Sequence, residues 1–208
     1  MLAMHDTNAD ISDIEPKRET PHPATRPPPQ SAATNAAPTP SGKLPRRVDL
    51  PFLCAHPAHL IALGFGSGLS PIAPGSVGTL WAWGVWALLA PTPLQGAWLW
   101  SVGALVGWWA STLTAARLGS SDPGAIVIDE IVAFWLILWL LTPASLGMQC
   151  AAFVLFRFFD AVKPGPVRWA DRVLHGPGAR GALGIMWDDL VAAGCTLLTL
   201  ALWLRVMA

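Results

Sequence analysis

Long apolar stretches, separated by short polar segments, fill the chain from Phe52 onward. The clearest covers residues 97–116, where only Ser and Thr hydroxyls interrupt the apolar pattern, and such hydroxyls can bond back to the helix backbone. Its length matches the roughly 20 residues that a helix needs to cross the hydrocarbon of a bilayer. We therefore predict a transmembrane helix over 97–116.

Two further stretches are less regular. Residues 77–90 are apolar and rich in Trp, but they are fewer than a membrane crossing requires, and Pro91 closes them. This segment is either re-entrant or extends back through Gly75. Residues 190–204 form the last apolar stretch and are followed by Arg205. Each is predicted to be a membrane helix.

A predicted helical hairpin lies between these stretches. Residues 131–141 and 146–159 are apolar and flank the dipeptide Thr142-Pro143. Because a proline disfavours helix at the residue before it, the pattern indicates a helix, a tight turn at the far membrane surface and a return helix. The predicted fold is an all-α integral membrane bundle of four to five membrane helices.

The N-terminal quarter of the chain has a different pattern. Residues 1–50 hold six acidic and six basic residues, and the Pro-rich run 21–45 has little apolar material to offset the entropy of ordering. We predict a disordered tail over 1–51 and a helical membrane domain over 52–208. Basic residues at 43, 46 and 47 precede the first apolar stretch, which predicts that the tail lies on the cytoplasmic side.

The composition narrows the class of protein. Hydrophobic residues make up 53% of the chain and charged residues 12%, which favours a membrane protein. The formal net charge is zero, so the basic field of a nucleic-acid-binding protein is absent. The three cysteines are far apart and form no Cys-x-x-Cys pair, so neither a disulfide framework nor a zinc site is predicted. The oligomeric state is left open.

Two acidic pairs stand beside predicted membrane helices. Asp129 and Glu130 precede the stretch 131–141, and Asp188 and Asp189 precede the last stretch. At a helix start the positive end of the macrodipole stabilises carboxylates, so capping alone is one interpretation of each pair. The other interpretation is a functional site, because charges next to the membrane interior are costly without a role.

A third acidic element combines one carboxylate with two cations. Arg157, Asp160 and Lys163 recur at every third residue, which places them on one stripe of a helix that Pro164 then ends. The cations can bind a phosphate while the carboxylate holds a metal or a water. A self-neutralised ion pair is the alternative. The segment 168–172 is interpreted as a solvated amphipathic stretch with ordinary salt bridges.

A glycine-rich segment, residues 64–79, precedes the stretch that begins at 77. Glycines at this density let backbone N–H groups converge on an anion, so Gly66, Ser67 and Gly68 are candidate phosphate-binding residues. The segment is neither a P-loop nor a dinucleotide fingerprint, because it lacks Gly-Lys-Ser/Thr and a preceding strand. A tight turn that lets helices approach closely is the alternative.

Four motifs in this order resemble bacterial phosphatidylglycerophosphatase A over about residues 57–200. They are the glycine-rich run 64–71 with Pro74-Gly75, the tripeptide Ile128-Asp129-Glu130, the run 156–160 with Lys163-Pro164 and Pro166, and the run 184–189. The resemblance implies an all-helical, Mg²⁺-dependent enzyme of the bacterial inner membrane. It implies hydrolysis of phosphatidylglycerophosphate to phosphatidylglycerol and inorganic phosphate, with the site on the cytoplasmic side.

The resemblance also implies roles for individual residues. Arg157 and Lys163 become phosphate contacts. Asp160, Asp129 and Asp188 become the catalytic candidates, with Asp160 the choice for orienting or deprotonating water. Attack by a carboxylate, through an aspartyl-phosphate, is an open alternative. The candidate metal and water ligands are Asp129, Glu130, Asp160, Asp188 and Asp189.

Two rival functions belong to other classes. In a small transporter, the acidic residues and Arg157 would form an ion or proton relay deep in the bundle. A noncatalytic lipid-binding or scaffold protein would leave the three acidic clusters without a role. The acidic residues lie near predicted helix ends, which favours the enzyme over the transporter. The enzyme hypothesis requires that the carboxylates of all three clusters meet in one pocket.

Overall fold

The computed structural model describes residues 48–119, 124–173 and 179–207, which contain helices and no strand. The predicted all-α class is therefore confirmed for the part described, whereas residues 1–47, most of the predicted tail, lie outside it. The described residues belong to one compact unit, Lys43–Ala208. Its α-helices are α1 Leu50–Cys54, α2 Pro57–Ala62, α3 Pro74–Leu89, α4 Pro93–Leu118, α5 Ile128–Leu141, α6 Leu146–Val162, α7 Gly165–Val173 and α8 Ala179–Met207, with a 3-10 helix, Gly64–Leu69, between α2 and α3.

Helix α5 lies at the centre of the bundle. After its first turn it is apolar on every side, so it needs neighbours all round, and it packs against α3, α4 and α8. Phe134, Ile131 and Ile137 of α5 are fully buried. Glycines of α4 let that helix approach closely, because a Cβ at Gly103 would lie 3.1 Å from the Trp135 ring. The start of α5 is thereby fixed among several helices.

Local signals explain where α3 and α4 begin. For the stretch 77–90, the alternative that it extends back through Gly75 is confirmed, since α3 begins at Pro74. Helix α4 begins at Pro93 behind a capping box between Thr92 and Gln95. It ends at Leu118 and is capped by Gly119, whose φ of 71° is left-handed. The predicted stretch 97–116 lies inside this longer helix.

The two predicted helices over 131–141 and 146–159 are confirmed, and so is the short connection between them, whereas the position of this connection at the far membrane surface stays a prediction. Helix α5 ends at Leu141, and α6 begins at Leu146 after Ser145, whose side chain accepts a hydrogen bond from the backbone N–H of Met148. Helix α6 ends at Val162, immediately before Lys163 and the proline that follows it. The turn and the far end of α6 therefore lie about 25 Å apart along the helix axis.

The start of α8 differs from the prediction. We expected the last helix to begin at 190, directly after its acidic pair, but α8 begins at Ala179 and the pair lies inside it. Residues 179–189 contain no proline, and Gly181 and Gly184 cost a helix only about 1 kcal/mol each, which packing against α5, α6 and α7 can offset. The argument from the helix dipole is therefore wrong for this pair.

One helix in the described ranges is long and apolar enough to cross a membrane, namely Met186–Met207 within α8. Helix α4, our clearest candidate, has 26 residues, but its Gly, Ser and Thr residues reduce its apolar character. Helices α3, α5 and α6 have 16, 14 and 17 residues, which is fewer than the roughly 20 of a simple crossing. The expected bundle of four to five spans is thus not established by helix length and composition.

Candidate active site

The first turn of α5 carries the deepest acidic residues. Asp129 and Glu130 follow Val127, whose N–H donates to the carbonyl of Ala62 at 3.0 Å and so ties the start of α5 to α2. Val127 offers no side-chain cap, and these carboxylates lie in the first turn, at the positive end of the helix. Asp129 is only 7% exposed. The predicted placement of this pair at a helix start is confirmed.

Helix α8 brings a third carboxylate to this turn. One ligand oxygen from each of Asp129, Glu130 and Asp189 lies within 4.8 Å of the other two. Asp189 is 4% exposed, and its position inside α8 directs it toward α5 rather than toward a loop. Two clusters that are 59 residues apart in the sequence therefore meet in one pocket. We call Asp129, Glu130 and Asp189 the carboxylate trio.

The trio is electrostatically unfavourable as it stands. Burial raises the pKa of Asp129 well above its usual range, and the nearby charge of Glu130 raises it further. Burial likewise raises the pKa of Glu130. Oδ1 of Asp129 and Oε2 of Glu130 are buried, and neither has a hydrogen-bond partner within the part of the chain that the structure describes. Such oxygens require protons or a cation.

The end of α6 supplies a cation beside the trio. Nη1 of Arg157 lies 2.6 Å from Oδ2 of Asp160 and 3.8 Å from Oε1 of Glu130. The predicted i,i+3 relation of Arg157 and Asp160 on one stripe is confirmed, and so is the ion pair that we held as the alternative. The pair nevertheless belongs to the pocket, because the same guanidinium also faces the trio.

Lys163 does not lie on the helical stripe, contrary to the prediction. It caps α6 in the left-handed conformation, with φ of 46°, because the following proline prevents the helix from continuing. From there its Nζ reaches Oδ2 of Asp188 at 2.6 Å. Asp188 is 6% exposed. The third acidic cluster and the first residue of the α8 pair are thus joined by an ion pair.

The residue of the glycine-rich segment that reaches the pocket is not one of the three that we predicted. Ser67 donates its hydroxyl to the carbonyl of Gly64 at 2.8 Å, and Gly66 has a φ of 106°, so both serve a tight turn. Gly68 is buried where a Cβ would overlap the carbonyl of Ala125. These contacts fit the close-approach alternative, and a phosphate-binding role for Gly66, Ser67 and Gly68 stays a prediction.

Gly75 is the residue of this segment that reaches the pocket. A Cβ built on it would overlap Oε1 of Glu130 and would lie 3.0 Å from Nη2 of Arg157. The sequence signal was the dipeptide Pro74-Gly75 at the start of α3, which we used for the resemblance without assigning it a role. The segment 168–172, which we interpreted as a solvated amphipathic stretch, lies in α7. This helix buries Val167 and leaves Arg168 exposed, which fits that interpretation.

Taken together, the pocket gathers carboxylates from all three acidic clusters with two cations at its side. Oxygen ligands without His or Cys suit a hard divalent cation, and the unpartnered oxygens of the trio fit such an ion. A cation held there, with Arg157 and Lys163 close by, forms a site that can neutralise a phosphate. The pocket can therefore support hydrolysis of a phosphate monoester.

Comparison with known proteins agrees with this chemistry. Residues 60–204 match the family model described as Phosphatidylglycerophosphatase A. Phosphatidylglycerophosphatase A of Escherichia coli strain K12 is 41% identical over 156 residues, which cover 72% of this chain and 86% of the relative. The Haemophilus influenzae protein of the same name is 38% identical over 149 residues, covering 66% and 83%. No solved structure matches the chain.

Proposed function

The chain belongs to the phosphatidylglycerophosphatase A family, and we propose that its acidic pocket removes the phosphate of phosphatidylglycerophosphate, releasing phosphatidylglycerol and inorganic phosphate. Family membership supports this reaction, because the Escherichia coli and Haemophilus influenzae relatives bear the name of this enzyme. The proposed location of the site rests on the trio, in which one oxygen from each member lies within 4.8 Å of the other two. The protein is thus a phosphoric monoester hydrolase of phospholipid metabolism.

We further propose that the trio holds Mg²⁺. Asp129, Glu130 and Asp189 supply oxygen ligands, and a bound cation offsets the cost of burying their charges. When bound, the ion supplies positive charge that neutralises the phosphate dianion, whose repulsion of nucleophiles makes unassisted hydrolysis very slow. The number of ions is left open.

The remaining charged residues handle the substrate in this proposal. Arg157 and Lys163 bind phosphoryl oxygens, because guanidinium and ammonium groups at the pocket complement a phosphate. Asp160 is held 2.6 Å from Arg157, where it can accept a proton from an attacking water. Asp188 fixes Lys163 rather than joining the trio. Asp160 and Asp188 thereby keep functional roles, but not those of principal metal ligands.

A membrane location follows from the lipid substrate and from the exposed apolar surface. Only 22% of the most apolar part of Met186–Met207 is buried within the described part of the chain, so most of that segment is at least partly exposed. Leu88 of α3, Leu105 of α4 and Val154 of α6 are also strongly exposed. Exposed apolar surface marks a contact with lipid or with another protein, and the lipid substrate favours lipid here. We propose that several helices of the bundle lie in the bacterial inner membrane, with the pocket on the cytoplasmic side.

Two glycines, one near the start of α6 and one just beyond its end at the start of α7, offer a matched test of this topology. Gly147 and Gly165 are exposed, and a Cβ at either would meet nothing within 4 Å. In a chain whose native cysteines are replaced by Ala, we expect a membrane-impermeant maleimide to label Gly147→Cys in intact spheroplasts. Gly165→Cys should react only after lysis. Equal labelling of both variants in intact spheroplasts would contradict the topology.

The transporter alternative is not favoured. Its relay requires carboxylates that carry ions across the bundle, whereas these carboxylates are collected in one pocket, and the relatives are phosphatases. The deciding measurement is phosphate release from phosphatidylglycerophosphate by the purified protein in detergent. We expect release with Mg²⁺, loss of release with EDTA and recovery when excess Mg²⁺ is added. Release that EDTA leaves unchanged would refute the Mg²⁺ proposal, and no release under any condition would refute the reaction.

A further inference from the structure

The start of α3 lies against the charged groups of the pocket. Pro74 occupies the first position of this 16-residue helix and Gly75 the second, and Gly75 is buried. Ala73, before them, has a left-handed backbone and gives no side-chain cap. The backbone of α3 therefore reaches the pocket without a side chain in between.

The space beside Gly75 is filled by two charged groups of the pocket. A Cβ there would overlap Oε1 of Glu130 and would lie 3.0 and 3.1 Å from Nη2 and Nη1 of Arg157. These atoms are the far ends of flexible side chains, so they can move aside at little cost in folding free energy. The movement would nevertheless displace a carboxylate of the trio and the cation that holds Asp160.

Gly84 of the same helix is a glycine position without close neighbours and so serves as a comparison for Gly75. Gly84 lies nine residues further along, and a Cβ there would meet nothing within 4 Å. Glycine costs a helix about 1 kcal/mol relative to alanine, so alanine would favour α3 at either position. The difference between the two positions is the presence of Glu130 and Arg157 beside Gly75.

We infer that Gly75 is a positioning residue, which lets the backbone of α3 close on Glu130 and Arg157 and so fixes the Glu130 carboxylate toward Asp129 and Asp189. The inference rests on the proposed role of the trio in holding Mg²⁺. Some groups orient a metal ligand without touching the metal, and altering such a group typically weakens the affinity of the site for the metal by about ten- to a hundredfold. Gly75 acts in this way because it has no side chain, which leaves room for the Glu130 carboxylate and the Arg157 guanidinium.

The test compares Gly75→Ala with Gly84→Ala, the same change in the same helix. Binding of Mg²⁺ is measured as the rise in Tm on adding the ion to EDTA-treated protein in detergent, and the half-saturating Mg²⁺ concentration is measured for phosphate release. For Gly75→Ala we expect a smaller rise in Tm and a half-saturating concentration about ten- to a hundredfold higher. Gly84→Ala should match the unaltered protein in both measurements.

A rescue variant separates positioning from general damage. Glu130→Asp shortens the acidic side chain by one methylene and withdraws it from the added methyl, so it should restore part of the Mg²⁺ response in the Gly75→Ala background. If Gly75→Ala does not fold, the double variant Gly75→Ala/Glu130→Ala should fold, because the overlapping carboxylate is gone. Recovery in these double variants supports the inference.

Three outcomes overturn the inference while leaving the reaction intact. They are a Gly75→Ala variant that behaves like Gly84→Ala, a Glu130→Asp change that rescues nothing, and an unfolded Gly75→Ala variant that Glu130→Ala does not restore. Failure of the proposed function is distinguishable, because then the unaltered protein itself would show no Mg²⁺-dependent release of phosphate and no Mg²⁺-dependent rise in Tm.

Discussion

The carboxylates at the trio and those at the end of α6 share one pocket but differ in their electrostatic partners. Asp160 and Asp188 each face a cation at 2.6 Å, from Arg157 and Lys163 respectively. Among the described side chains, Glu130 is the member of the trio that approaches a cation, at 3.8 Å from Arg157, and Asp129 and Asp189 are almost fully buried.

This difference indicates two kinds of site within one pocket. Carboxylates that the protein neutralises itself are stable as they stand, so they can hold and orient the cations that meet the phosphate. Carboxylates that the protein buries without neutralising them lower the stability of the folded state and suit a site that a metal completes. Glu130 adjoins both parts through Arg157. Substitutions in the two parts should therefore have opposite effects on stability.

Removing one charge from the trio should have the largest effect. Asp129→Asn keeps the shape of the side chain but weakens metal binding, and because a metal supplies several kcal/mol of charge stabilisation, we expect kcat/KM to fall at least about a hundredfold. Without Mg²⁺ the same variant should melt at a higher temperature, since a costly buried charge is gone. Phosphate release and thermal unfolding in EDTA measure the two effects.

Asp160→Asn is the matched control for that stability measurement. It leaves the Arg157 guanidinium with less neutralisation, so its Tm in EDTA should fall rather than rise. If both variants shift Tm in the same direction, the distinction between the two parts of the pocket is wrong. Near-normal Mg²⁺-dependent release by Asp129→Asn would remove Asp129 from the metal site.

Breaking the Lys163–Asp188 pair should have an intermediate effect. Lys163→Ala removes one charged contact with the phosphate, which is worth about 1.5–3 kcal/mol, so KM should rise about ten- to a hundredfold. Asp188→Asn should give a smaller change of the same kind, because Lys163 loses the partner that orients it. Steady-state kinetics across a range of substrate concentrations measure both.

The double variant shows whether the two residues act together. If Asp188 acts through Lys163, Lys163→Ala/Asp188→Asn should be no worse than Lys163→Ala alone. The rise in Tm caused by Mg²⁺ should stay near normal in Asp188→Asn and be reduced in Asp189→Asn. A loss of Mg²⁺ response in Asp188→Asn equal to that in Asp189→Asn would place Asp188 with the trio instead.

The sequence predicted the helical class and the two helices α5 and α6 with a short connection between them, because these depend on local signals. The meeting of the three acidic clusters was expected as a requirement of the enzyme hypothesis. Two features were not predictable locally. The start of α8 depends on tertiary packing that offsets the glycines at 181 and 184. The pairing of Lys163 with Asp188 depends on a left-handed residue at the end of α6, which a regular helical stripe does not contain.

The smallest expected effect is a pH dependence of stability that separates the trio from the paired carboxylates. Burial raises the pKa of Asp129 and Glu130 in the folded protein above their values in the unfolded chain. The folded state therefore binds more protons, so the stability that this provides is present at acidic pH and is lost as the pH rises through the raised pKa values. In EDTA, the Tm should fall as the pH rises above the ordinary carboxyl range.

Mg²⁺ should reverse this fall in Tm, because it replaces the protons, and Asp129→Asn should reduce the fall. A Tm in EDTA that is independent of pH, or rises across this interval, would show that the trio is already neutralised by the protein, and the contrast between the two parts of the pocket would fail.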